Sequence, residues 1–106
     1  MRVEIKAVSV NQCWRGRRFK TDKYKAYEYE LMPLLPVLSV PNGLLHVQIV
    51  FGLSSKLNDI DNGLKPFIDI LQKKYNFNDR DIYKLTVEKE IVKKGSEYIE
   101  FEIKAL

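Results

Sequence analysis

The sequence predicts an α+β domain: a small mixed β-sheet carrying two helices, in the order β-α-β-α-β-β. Three observations lead there. The stretches "LLHVQIVFGL" and "YIEFEIKAL" alternate apolar and polar residues with the period of two that marks a half-buried strand. Leu64, Phe67, Ile68 and Leu71 recur at the spacing of one helical face. The 106 residues, 45% of them hydrophobic, are enough for one core and too few for two ordinary ones, so residues 1–106 are expected to form a single domain.

Taken in order, Val3, Ile5 and Ala7 alternate with Arg2, Glu4 and Lys6, which predicts a first strand over residues 2–8 and not a signal peptide. The polar stretch "SVNQCWRGRRFKTD" reads as a loop or arm with Gly16 at its bend. Thr21 or Asp22 is placed to cap a helix over residues 23–32, which fails at Pro33; Tyr24, Tyr27 and Leu31 share its core face. Pro33, Pro36 and Pro41 interrupt the most apolar region, so no continuous membrane-spanning helix is expected. After the "PNG" turn comes the strongest strand, with Leu45, Val47, Ile49 and Phe51 on one side and Leu44, His46, Gln48 and Val50 on the other. The second helix is expected over residues 61–75, with Pro66 tolerable near its start, and "NFND" closes it. "IYKLTVEKEIV" and "YIEFEIKAL" flank a turn at Gly95 and are expected to form a C-terminal antiparallel hairpin.

Charge and cysteine usage narrow the function classes. Eighteen Lys and Arg against 14 Asp and Glu leave a net charge of +4, which modestly favours an anionic partner. Cys13 is the only cysteine, so the chain holds no internal disulfide and no cysteine-based zinc site, in keeping with a reducing, intracellular setting. His46 stands alone mid-strand with no Ser or Cys partner, which fits a structural residue better than a general base.

Two clusters remain. In "NDIDNGLKPFIDIL", Asp59 and Asp61 lie two residues apart and can aim at one point in an extended segment. Paired carboxylates repel unless a cation joins them, and Mg²⁺ prefers such oxygen ligands. Helix capping explains the same residues with nothing further, and Asp69 is accounted for by its i,i+4 partner Lys65 and by solvation. The other cluster runs from Arg15 to Lys25, six basic residues and one acid, interleaved with aromatic side chains. Trp14, Arg15, Arg17, Arg18, Lys20 and Lys23 suit contacts to phosphates and unpaired bases. A solvated basic loop with Trp14 tucked partly into the core is the competing reading.

Together, "SVNQCWRGRRFKTDKYKAY", "DIDNGLKPFIDIL" and "NDRDIYKLTVEK" resemble the RusA-type Holliday junction resolvases over nearly the whole chain. That family carries D-x-D-N-x-x-K, a helix, a D-D pair and a strand lysine. Asp59, Asp61, Asn62 and Lys65 match the first motif, Asp79 matches the second acid of the pair, and Lys89 the strand lysine. Asn78 stands where the family has the first acid of that pair. The resemblance implies a homodimeric endonuclease, often phage-borne, that cuts four-way DNA junctions. It further implies Asp59, Asp61 and Asp79 as ligands of Mg²⁺, with Mn²⁺ able to substitute, Lys65 as a fourth catalytic residue, and no small-molecule cofactor or membrane partner. A helix over residues 61–75 is roughly 20 Å long, so Asp61 and Asp79 are expected to meet across a two-fold axis unless the following loop folds back.

Overall fold

The computed structural model describes residues 1–16 and 19–106. Its elements are β1 (Arg2–Val3), β2 (Trp14–Arg15), β3 (Phe19–Lys20), α1 (Asp22–Leu34), β4 (Leu45–Leu53), α2 (Leu64–Tyr75), β5 (Ile82–Ile91) and β6 (Tyr98–Ala105), with 3₁₀ turns at Val10–Gln12 and Asp79–Asp81. The α+β class holds: two helices cover one face of a mixed sheet ordered β1-β6-β4-β5.

β4 is the centre of that sheet because its alternation suits burial on one side. Leu45, Val47, Ile49 and Phe51 are buried against the helices, while His46, Gln48 and Val50 take the opposite face. From α1, Tyr24, Tyr27 and Leu31 enter the core as their spacing requires. From α2 come Phe67, Ile68 and Leu71, with Ile70 and Pro66 also buried. Phe67 stands edge-on to both Phe51 and Phe101, with ring centroids 6.2 and 5.6 Å away. Burying one such ring stabilises the fold by about 1.5–3 kcal/mol.

β4 pairs in parallel with β5 and antiparallel with β6. The two C-terminal strands therefore run antiparallel, as expected, and follow one another through the turn at Gly95, where φ is +94°. They are not hydrogen-bonded to each other, because β4 lies between them. Two strands flanking a third sit roughly 9.5 Å apart, a span that residues 92–97 cross with ease. Gly52 permits a second link across the gap. The Tyr98 ring lies over it, so close that a Cβ there would overlap the ring. The Tyr98 hydroxyl then donates to Glu90 on β5, while the Arg2 guanidinium covers the ring at 3.6 Å.

Three expectations about element limits change. The first strand pairs only at Arg2–Val3, against Glu100 and Ile99; beyond it the chain leaves the sheet edge, yet Ile5 and Val8 stay buried. α1 runs through Pro33 to Leu34, capped by Thr21, whose Oγ1 accepts from Tyr24 N at 3.2 Å. Proline in the last turn removes one N–H bond without ending the helix at once. α2 begins at Leu64, not at residue 61, because residues 59–63 form successive turns closed by Asn62 N to Asp59 O and Leu64 N to Asp61 O. Pro66 thus falls in the first turn, where helical N–H groups have no partner within the helix.

Candidate functional site

The segment from Ser54 to Gly63 leaves the C-terminal end of β4 and carries the paired acids. Its shape is imposed from several sides. Lys89 of β5 donates from its ammonium to Asn58 O at 2.8 Å and to Lys56 O at 3.4 Å. Val10 N donates to Asn62 O at 2.7 Å. Gly63 is pressed between Ala7 and Phe51, which a Cβ would meet at 3.1 and 3.3 Å. Asp59 and Asp61 are exposed on this segment, and neither side chain has a hydrogen bond or ion pair among the described residues. They do not cap α2: its N-cap is Gly63, with no side-chain bond.

Asp59 also stands at the rim of a groove of about 650 Å³ between residues 5–12, α1 and the acidic segment. Lys6 and Lys23 line it with Asn11 and Ser54, and Tyr27 is part of its wall. The Tyr27 hydroxyl is buried without a hydrogen-bond partner among the described residues, and burial pushes its pKa up. Composition and spacing identify Tyr27 as a core residue but carry no sign of an unpaired hydroxyl, which depends on its neighbours in space.

Asp79 occupies a different place. Asn76 closes α2 in the left-handed conformation, at φ 54°, and Asn78 then caps the short turn by accepting from Arg80 N at 2.9 Å. Asp79 N donates to Gln72 Oε1 at 2.8 Å, and the Asp79 side chain is exposed. β4 and β5 are parallel; Asp59 and Asp61 follow the end of the former, Asp79 precedes the start of the latter. These positions therefore lie towards opposite ends of strands about 30 Å long. One chain alone does not gather the three acids, and no group of three or more His, Cys, Asp or Glu able to hold a metal ion occurs among the described residues.

Lys65 pairs with Asp69 at 3.6 Å and leaves Asp61 free. Asp69 is not the solvated residue expected from sequence. Burial raises its pKa, Lys65 opposes that shift, and Asp79 adds to it. The i,i+4 spacing to Lys65 was visible; the packing that desolvates Asp69 was not.

The basic arm is a short ladder in which Trp14 pairs with Lys20 and Arg15 with Phe19. Trp14 is half-buried, edge-on to Tyr24 at 5.5 Å. Arg15 and Phe19 are exposed, as is Lys23 at the groove. Lys20 is partly engaged: with Lys73 it pairs with Glu28, at 3.2 and 2.7 Å. Burial works against ionisation of Glu28, but the two lysines hold its pKa below the ordinary value. Arg17 and Arg18 lie outside the described residues. His46 has its Nε2 3.0 Å from Thr86 Oγ1 on the neighbouring strand.

No family model matches the chain, and no curated protein is found that matches it. No helix among the described residues is long and apolar enough to cross a membrane.

Proposed function

We propose that the chain is a Mg²⁺-dependent endodeoxyribonuclease that resolves four-way DNA junctions by paired phosphodiester hydrolysis, in recombination and repair. The resemblance to RusA-type resolvases suggests the reaction. One observation carries the reading in this molecule: Asp59 and Asp61 are exposed without side-chain partners among the described residues, on a segment that Lys89 holds in place. Such a pair fits a hydrated divalent cation better than a helix cap, since each carboxylate offers a hard oxygen donor and neither is used by α2.

Bound there, Mg²⁺ or Mn²⁺ would supply charge stabilisation at the scissile phosphate and a more acidic water. The chain's own residues do the rest. Asp59 and Asp61 provide the donor oxygens, and Lys89 fixes their spacing through the segment's carbonyls. Lys65, exposed in the first turn of α2, can exchange Asp69 for a phosphate oxygen. Lys6 and Lys23 beside the groove, with Arg15 and Trp14 of the arm, attract and position the DNA backbone. Asp79 completes the donor set from a second copy in a homodimer.

The test is a synthetic four-way junction and a linear duplex, each incubated with Mg²⁺ and with EDTA. Symmetric paired nicks in the junction alone, absent with EDTA and in Asp61→Asn, are expected. No three acids gather within one chain among the described residues, and a branched-DNA-binding module of the same fold is the second reading. Binding of the junction without cutting would establish that one. Cutting of flaps or other branches as readily as junctions would widen the substrate class.

A further inference from the structure

We propose that the groove beside Asp59 takes one unpaired nucleobase of a DNA strand, its edge bonded by amide side chains and its ring laid on apolar surface. The inference deepens the nuclease reading and rests on it for the strand's identity as DNA. The segment from Ser54 to Gly63 forms one wall of the groove, and residues 5–12 and α1 form the others. At about 650 Å³ it falls within the range of sites that enclose an organic ligand.

The lining says which ligand fits. Lys6 and Lys23 bring two positive charges and Glu30 and Asp59 cancel them, so charge alone gives the groove no preference for an anion. Its distinctive groups are amides. Asn11, Gln12, Asn58 and Asn62 all line it, and none of their side chains has a hydrogen-bond partner among the described residues. An amide carries a donor and an acceptor side by side, the pattern that pairs with the edge of a base. Ala7, Val8, Phe51 and Leu53 supply apolar surface for a flat ring to cover. An unpaired base offers both a free polar edge and a free apolar face, whereas a base inside a duplex has its pairing edge taken and its faces stacked.

Two of the walls are fixed relative to each other. Asn11 sits in the 3₁₀ turn Val10–Gln12, and Val10 N donates to Asn62 O at 2.7 Å. Asn58 is fixed as well, since its carbonyl accepts from the Lys89 ammonium at 2.8 Å. The amides are therefore carried on backbone that is already ordered, which lowers the entropic cost of binding. Asp59 follows Asn58 directly, so a base in the groove leaves its own phosphate beside the proposed metal ligands. Drawing a base from its stack costs least where pairing is already lost, which biases the groove against continuous duplex.

Fluorescence anisotropy of the purified full chain in EDTA tests the pocket, with circular dichroism to show that each variant is folded. The probes are a short labelled DNA single strand and a matching deoxyribose-phosphate chain that lacks bases. The wild type is expected to bind the base-bearing strand about tenfold more tightly or better. Ala26→Trp fills the groove from an exposed position of α1, and the double variant Asn11→Ala/Asn58→Ala removes an amide from each of two walls. Both are expected to erase most of the difference between the probes while the baseless chain binds as before. Equal binding of the two probes by the wild type, binding of neither, or a difference that survives both variants (as for stacking on Trp14 or Phe19 of the arm) would each overturn the proposal. No metal is present and no cutting is read, so its failure is distinct from failure of the nuclease reading.

Discussion

The two acid-bearing segments are built in opposite ways. The Asp59–Asp61 segment is held by residues distant in sequence: Lys89 on its carbonyls, Val10 on Asn62, and Ala7 and Phe51 around Gly63. The Asp79 turn is held by its neighbours, with Asn78 capping it and Gln72, seven residues earlier, receiving its N–H. The first is positioned only when the sheet is complete. The second can form as soon as α2 ends. A site that needs rigid donors gains from the first kind of construction, because long-range contacts survive local fraying.

Lys89→Met should separate the two most strongly. It removes the ammonium that ties Lys56 and Asn58 to β5, while the methionine keeps most of the aliphatic stem. On the proposed nuclease reading, cleavage under limiting Mg²⁺ is expected to fall about 10–100-fold, the usual effect of losing a residue that orients metal ligands, with the melting temperature little changed. Titrating Mg²⁺ in the junction assay checks this; unaltered metal dependence would mean that the segment holds its own shape.

A smaller effect is expected at the other segment. Asn78→Ala removes the side-chain cap of the Asp79 turn and should cost about 1 kcal/mol or less, read by urea denaturation. Asn78→Asp should be nearly neutral, because aspartate accepts the same N–H from Arg80. Asn78 is thus a residue able to hold the turn.

The smallest expected effect concerns Asp69, which lies on α2 between the two segments. Burial, the largest influence, raises its folded-state pKa above the ordinary 3.8, so the native chain takes up this proton more readily than the unfolded one. Stability from this residue therefore rises as pH falls through its folded pKa and is fully gained below 3.8. Asp69→Asn should melt slightly higher than the wild type at neutral pH, with the difference closing as the solution is acidified. A difference that stays constant with pH would show that desolvation of Asp69 is not the cause.

The same contrast explains what was legible in the sequence. Period-two alternation gave the faces of β4 and β6, helical spacing gave the inward side of α1, and both survive in the fold. Alternation tells which way a side chain points and nothing about which strand lies beside it. The insertion of β4 between β5 and β6 was therefore hidden behind a short turn that also suits a hairpin. The paired acids were visible as a motif, but the start of α2 depends on turns at residues 59–63 and on Gly63 packing against Ala7, more than fifty residues away. Ile70 was missed because its burial comes from tertiary packing on the side of α2 next to the expected stripe.

The Tyr98 ring lying across Gly52 has a kinetic meaning. β4 is the middle strand, yet one of its two partners arrives only with residues 98–105, about fifty positions later. Until then the strand has one bare edge, and Tyr98 cannot cross to reach Glu90. Closing loops of that length before any pairing rewards them makes for slow folding, and parallel β4–β5 pairing adds to the delay. Tyr98, Gly52, Glu90 and Arg2 are therefore expected to engage late in folding, as a latch, which the unfolding rate of Tyr98→Phe would check. Mutations there should chiefly speed unfolding and leave the early steps of folding intact.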